Sequence, residues 1–241
     1  MCHWWRTVGI TALTLMFMTG AQIRIARAAP VFYNESSAFF TAISDAEPRL
    51  GSLSIIDFDD VNAGASIQEG SVFGGVRFRS NTIDGLVVTD HFQTTSGLNY
   101  LGLDDGFSNE FRSGDELRFG FPDPVLAFAL SIIGSPSGLL ANDLQLVAAG
   151  GNVFNLGTPE RVFQDGGELF FLGVIAPEAF SAAQLISFGD PTDPFFNFNI
   201  DDVTTVAVPL PPTLALFGLG LVGLGALRRI RPTAAGKYAL T

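Results

Sequence analysis

Residues 208–231 constrain this chain more than any other stretch. They read Val-Pro-Leu-Pro-Pro-Thr, then an uncharged apolar run from Leu214 to Leu227, then Arg228, Arg229 and Arg231. As a helix the run covers about 21 Å, short of the ~30 Å hydrocarbon core of a bilayer. Leu210 to Thr213 would lengthen it, but Pro209, Pro211 and Pro212 let a helix begin there and not continue backwards. The basic residues after the run stay on the cytoplasmic side by the positive-inside preference, which places everything before them on the far side. Gly218, Gly220, Gly223 and Gly225 weaken the helix and give it a smooth face for another membrane helix.

The start of the chain agrees with this topology. Arg6 precedes an apolar run from Val8 to Met18, and Ala26-Arg27-Ala28 is a small-x-small pattern before Ala29-Pro30. Residues 1–28 therefore read as a secretory signal peptide, with an uncleaved short anchor as the alternative. Cys2, the only cysteine, lies in that segment and before its apolar run, where a lipoprotein cysteine would follow it. The exported part then has neither disulfides nor thiol chemistry. The expected organisation is a signal peptide (1–28), an exported domain (29–207), a sorting segment (208–232) and a cytoplasmic tail (233–241).

A short motif, a marginal span and a basic cluster resemble the tripartite tail of the PEP-CTERM family of Gram-negative exported proteins, in its Val-Pro-Leu-Pro variants. The resemblance rests on Val208, Pro209, Leu210 and Pro211, on the Leu/Gly-rich run, and on Arg228, Arg229, Ile230 and Arg231. Leu210 stands where the commonest form has Glu, and Pro212 where Ala is usual. The resemblance implies two partners, the Sec translocon and an exosortase that cleaves near the proline motif. It implies transient anchoring by the C-terminal helix, then the periplasm, the outer surface or the medium. It also implies a structural or adhesive role linked to extracellular polysaccharide or biofilm. An ordinary anchor that is never processed is the alternative.

Charge is unevenly distributed. All 24 Asp and Glu residues fall between Glu35 and Asp202, with only six arginines among them, a formal balance of −18 against −11 for the whole chain. Such a field repels phosphate backbones and anionic lipid, so nucleic-acid binding is disfavoured.

Periodicity predicts one helix, from Ser37 to about Ala46, with Asn34 as its cap and Ala38, Phe39, Ala42 and Ile43 at helical spacing. Beyond it the period becomes two. Strands are expected at 53–58, 72–80, 86–89, 100–103, 117–121, 125–133, 144–148, 153–156, 169–175, 184–188 and 196–206. Pro122-Asp123-Pro124 is read as a turn and Ala149-Gly150-Gly151-Asn152 as a hairpin connection. The expected fold class is all-β: an antiparallel β-sandwich of jelly-roll type with one short N-terminal helix, preceded by the signal peptide and followed by a transmembrane sorting helix. A barrel is the alternative. The 21 Phe residues from Phe32 to Phe198 suit an aromatic-filled core.

Few residues suggest chemistry. His91 is the only histidine after the signal peptide, and without cysteine no ordinary zinc site can be built. There is no Gly-x-Ser-x-Gly elbow, and no strand sets several carboxylates on one face for glycan hydrolysis. No enzyme is expected, and no catalytic residue is assigned. The one cofactor the residues suggest is a structural Ca²⁺. Asp57 and Asp59 close the first long strand, while Asn199, Asp201 and Asp202 lie in the last; if these strands pair, oxygen ligands come together. Asx turns and a solvated acidic face are the alternative. For stacking on sugars, Tyr100, Phe107 and Phe111 are the aromatics in the long loop region. A carbohydrate-binding module and a carbohydrate-active enzyme are the competing functional classes.

Overall fold

The computed structural model describes residues 28–46, 50–135, 138–139, 142–188, 196–209 and 221. The chain begins with β1 (Val31–Tyr33) and the helix α1 (Ser36–Ala46), and continues with β2 (Leu53–Ile56), β3 (Ser66–Ile67), β4 (Val72–Phe73) and β5 (Val76–Ser80). Then come β6 (Leu86–Thr89), β7 (Tyr100–Leu103), β8 (Phe111–Arg112) and the long β9 (Glu116–Gly134). The hairpin β10 (Leu144–Ala148) and β11 (Asn152–Asn155), β12 (Arg161–Val162), the long β13 (Glu168–Ser187) and β14 (Asn197–Ala207) complete it. Every strand pairing is antiparallel, and the strands join in one hydrogen-bonded network. Among the described residues the all-β character and the one helix, α1, are as the sequence pattern predicts. The expected signal peptide, up to Arg27, and most of the apolar tail lie outside the described residues. Among the described residues no helix is long and apolar enough to cross a membrane.

Strands β9 and β13 organise the rest. They pair with each other from Glu168↔Gly134 to Ile186↔Glu116, with register shifts between Ile175 and Ala182. Pro122-Asp123-Pro124 therefore does not turn the chain back: one 19-residue strand runs through it. Likewise the expected strands at 169–175 and 184–188 are two ends of one 20-residue strand. The prolines fit because they sit where the ladder is interrupted and no N–H is needed. The N-terminal half of β9 pairs with β5 and the C-terminal half with β14, so the two halves serve different parts of the network.

The C-terminal half of β9 is buried on both faces, for a reason visible in its alternation. Phe128, Leu130 and Ile132 enter the main core, while Ala127 and Ala129 face the other way under α1. There Phe39 and Ile43 of the helix pack with Phe171 and Val206. The small alanines let the helix lie close. Gly173 does the same, since a Cβ there would come 2.8 Å from the Phe39 ring. The helix N-terminus is held from far away. The Ser36 amide and hydroxyl both donate to the Glu160 carboxylate, which takes the capping role expected of Asn34.

Candidate functional site

The first and last long strands do pair: Val203↔Ile56 runs to Val206↔Leu53, which brings the Asp57 end of β2 beside Asp202. Within β14 the register against β9 shifts between Asp201↔Ser131 and Thr204↔Ala129, leaving two residues opposite one. This is a β-bulge. Asp202 sits in it at φ 47°, a left-handed conformation that Asp tolerates better than most residues. In a regular strand Asp201 and Asp202 would point to opposite faces; here one loop reaches both.

That loop is 90–99. Thr94 and Thr95 both donate their hydroxyls to Asp201 Oδ2, and the Thr95 amide also points at this oxygen at 3.3 Å. The Asp202 amide donates to Asp201 Oδ1 at 2.8 Å, and Ser96 Oγ donates to Asp202 Oδ1 at 3.1 Å. Further along, the amides of Leu98 and Asn99 donate to Asp59 Oδ1 at 2.8 and 3.0 Å. Gly97, at φ 43°, makes this approach: a Cβ there would collide with the Asp59 carboxylate. Three carboxylates from two distant segments thus strap one loop across the sheet. Burial pushes the Asp201 carboxyl up to about 6, the Asp202 charge adds to this, and the Thr94, Thr95 and Asp202 donors oppose it.

The five candidate Ca²⁺ ligands all make hydrogen bonds within the fold. Asp59, Asp201 and Asp202 hold the loop, and Asp57 Oδ1 accepts the Asp59 amide at 3.3 Å, an Asx turn. With its amide oxygen and nitrogen exchanged, the orientation its surroundings favour, Asn199 donates to the carbonyls of Phe198 and Asn109 at 3.1 Å each. Among the described residues no three His, Cys, Asp or Glu side chains group to hold a metal ion. The donors Thr94, Thr95 and Ser96 escaped the sequence reading. Their one sequence mark is a run of hydroxyl residues at the start of the long loop region.

Other singled-out residues are also placed. His91 is exposed beside Phe92, with ring centroids 6.5 Å apart. Phe107 is 86% exposed, but Tyr100 and Phe111 are fully buried, which corrects the expectation of a trio of loop aromatics. Tyr100 is the first residue of β7 and donates no surface for stacking; burial pushes its hydroxyl up to about 12. Phe111 stacks on Phe198 at 5.4 Å because β8 pairs with β14. In the Asp104-Asp105-Gly106 turn, Asp105 Oδ1 accepts the amides of Phe107, Ser108 and Asn109, and its other oxygen pairs with Arg112. Burial opposes ionisation of Asp105, yet these amides and Arg112 hold its carboxyl below the ordinary value.

The sorting residues follow the last strand without a linker. Ala207 ends β14 and is still bonded to the fold, accepting the Gly51 amide and donating to Ser52 O, both at 3.0 Å. Val208 and Pro209 are described, while Leu210, Pro211, Arg228, Arg229 and Arg231 lie outside the described residues. No curated protein matches the chain. Residues 207–229 match the family model of the PEP-CTERM protein-sorting motif, which covers Val208 to Arg229 of the expected tail and stops before Arg231. The match supports export, a membrane-held signal and processing by an exosortase. Beyond β14, then, this chain carries a PEP-CTERM sorting signal.

Proposed function

We propose that the chain is a surface-displayed protein whose exported domain, a jelly-roll-like β-sandwich, serves a structural or adhesive role among extracellular polysaccharide and catalyses no reaction. The observation that carries this reading is the sorting motif at residues 207–229, directly after β14. The junction supports it physically. Among the described residues the last backbone hydrogen bonds are made by Ala207, so a cut in the proline motif would leave these strands complete. The −18 balance of the acidic stretch supports a soluble domain that stays away from anionic lipid.

Intact-mass analysis of protein from exosortase-containing cells tests the reading. The expected product has lost both the N-terminal segment and everything beyond the proline motif, and is recovered outside the inner membrane. Replacing Pro209 and Pro211 by Ala is expected to leave an untrimmed, membrane-held form. An untrimmed wild type in the cytosol would end this proposal. Release of reducing sugar from glycans by the purified protein would favour the enzymatic alternative.

Calcium enters this reading only as a competitor for carboxylates that the 90–99 loop already occupies. Adding EDTA is therefore expected to leave the thermal midpoint unchanged. A fall of several degrees would restore Asp57, Asp59, Asn199, Asp201 and Asp202 as ligands, because an ion bound only to the folded state stabilises it by mass action.

A further inference from the structure

Half of the six arginines in the acidic stretch stand on one face of the sheet. Arg77 and Arg79 are the outward residues of β5, whose alternate residues Val76 and Phe78 are buried. Arg118 is the outward residue between Leu117 and Phe119 on β9. In the ladder Arg79 lies directly opposite Arg118, and Arg77 opposite Gly120. Like charges facing each other across antiparallel strands destabilise a sheet. Folding gains nothing from this pair, in a domain with few cations to spend.

The surroundings make the face a groove. The row Arg79–Arg118 continues through Gln184 on β13 to Val147 on β10. Gly120 and Ala182, paired in the next row, leave the floor shallow, and the groove holds about 510 Å³. Two of its polar side chains are pre-oriented: Gln184 Nε2 donates to Glu116 Oε2 at 2.6 Å, and Arg77 donates to Gly70 O at 2.8 Å. Arg118 has only a long 3.5 Å contact to Glu116, with 65% of its side chain exposed. Arg79 has no ion pair among the described residues. By contrast Arg112 is paired with Asp105, and Arg161 lies 4.6 Å over the Phe163 ring.

We propose that this arginine face binds an anionic polysaccharide, taking its carboxylate or sulfate groups between Arg79 and Arg118, with Arg77 and Gln184 beside them. The planar guanidinium fork matches either group with paired hydrogen bonds. A second polyanion, duplex DNA or a lipid surface, would also have to approach the acidic remainder of the domain, whereas a single sugar chain lies within the groove. The proposal rests on the reading that the domain works among extracellular polysaccharide, and it names the chemistry of the sugar.

Affinity electrophoresis of the mature protein recovered from cells tests it, in gels containing polygalacturonate, dextran sulfate or neutral dextran. Retardation is expected in at least one anionic gel and not in dextran, and it should weaken as salt is raised. Polygalacturonate alone would identify carboxylate as the group, and dextran sulfate alone would identify sulfate. The double variant Arg79→Gln with Arg118→Gln is expected to lose about tenfold or more in apparent affinity, roughly the loss of one charge-assisted contact. Both side chains are exposed, so the variant should melt no lower than wild type. Ser37→Glu with Thr41→Glu on the exposed side of α1 changes net charge by the same amount, and is expected to keep wild-type retardation. Equal migration in all three gels, equal loss in the helix variant, or equal retardation by duplex DNA would overturn the proposal. A protein retarded by polygalacturonate but found in the cytosol overturns the surface reading and leaves this face standing; one that is sorted and trimmed yet runs alike in every gel does the reverse.

Discussion

Phe128→Ala is expected to lower the unfolding free energy by about 3–5 kcal/mol, the range for emptying a buried aromatic site. Phe128 is 0% exposed, and its ring centroid lies 4.9 Å from that of Phe119 and 5.2 Å from that of Phe121. These partners sit on the other half of β9, across Pro122-Asp123-Pro124, so the ring ties together the two halves of a bent strand. The surrounding backbone cannot collapse into the gap. Phe128 is paired with Val174 on one side and with Thr205 on the other, and Ala127 and Ala129 are pinned under α1. A domain's whole stability is about 5–15 kcal/mol, so the variant should sit near its unfolding threshold at 37 °C. Urea denaturation checks this against Phe107→Ala, where the ring is 86% exposed and the change should stay within about 0.5 kcal/mol. A loss below about 1 kcal/mol at Phe128 would mean that the two halves of β9 are held together by something else.

The same strand shows how far the sequence could be read. The alternation Leu117-Arg118-Phe119 and the hairpin at Ala149–Asn152 reveal themselves locally, because burial on one face writes a period of two. The apolar run 125–133 reveals that both faces are covered, though not that α1 covers one of them. Pro122-Asp123-Pro124 looks like a turn because its composition is that of a turn. Only the gap in pairing with β13, set by residues more than 50 positions later, lets a strand continue through it. The helix is legible from Phe39 and Ile43, while its cap is not: Glu160 is 124 residues away. At the candidate site, the pairing of β2 with β14 could be anticipated. The bulge that turns Asp201 and Asp202 toward one loop left a single mark, the break in alternation at Ile200-Asp201-Asp202-Val203 where two polar residues stand together, and that mark does not say which loop they meet. The burial of Tyr100 and Phe111 was hidden because long-range pairing sets it. Phe111 stands between Glu110 and Arg112, Tyr100 follows a polar loop, and what buries them, β14 and β6, is close only in space.

Asp201 carries the largest expected pH effect. Its carboxyl rises from the ordinary 3.8 to about 6, chiefly because the side chain is buried. A raised folded value means that the folded state holds the proton after the unfolded chain has released it. Stability from this group is therefore fully present below about pH 4, falls as pH rises through about 6, and is absent above about 7. A shift of about two units corresponds to roughly 3 kcal/mol across that window. The variant Asp201→Asn keeps the shape and cannot titrate, so the difference in stability between wild type and variant isolates the group from the other carboxylates. That difference is expected to move against the wild type by about 2–3 kcal/mol between pH 4 and pH 7, read from urea midpoints at matched ionic strength. The loop should report the same event. Ionised Asp201 must be satisfied by Thr94, Thr95 and the Asp202 amide, so exchange of the Thr95 amide should be better protected in wild type than in Asp201→Ala at every pH. A flat difference curve, with unchanged exchange at Thr95, would show that the carboxylate is neither buried nor fastened to the 90–99 loop, and would reopen its oxygens to an outside ligand.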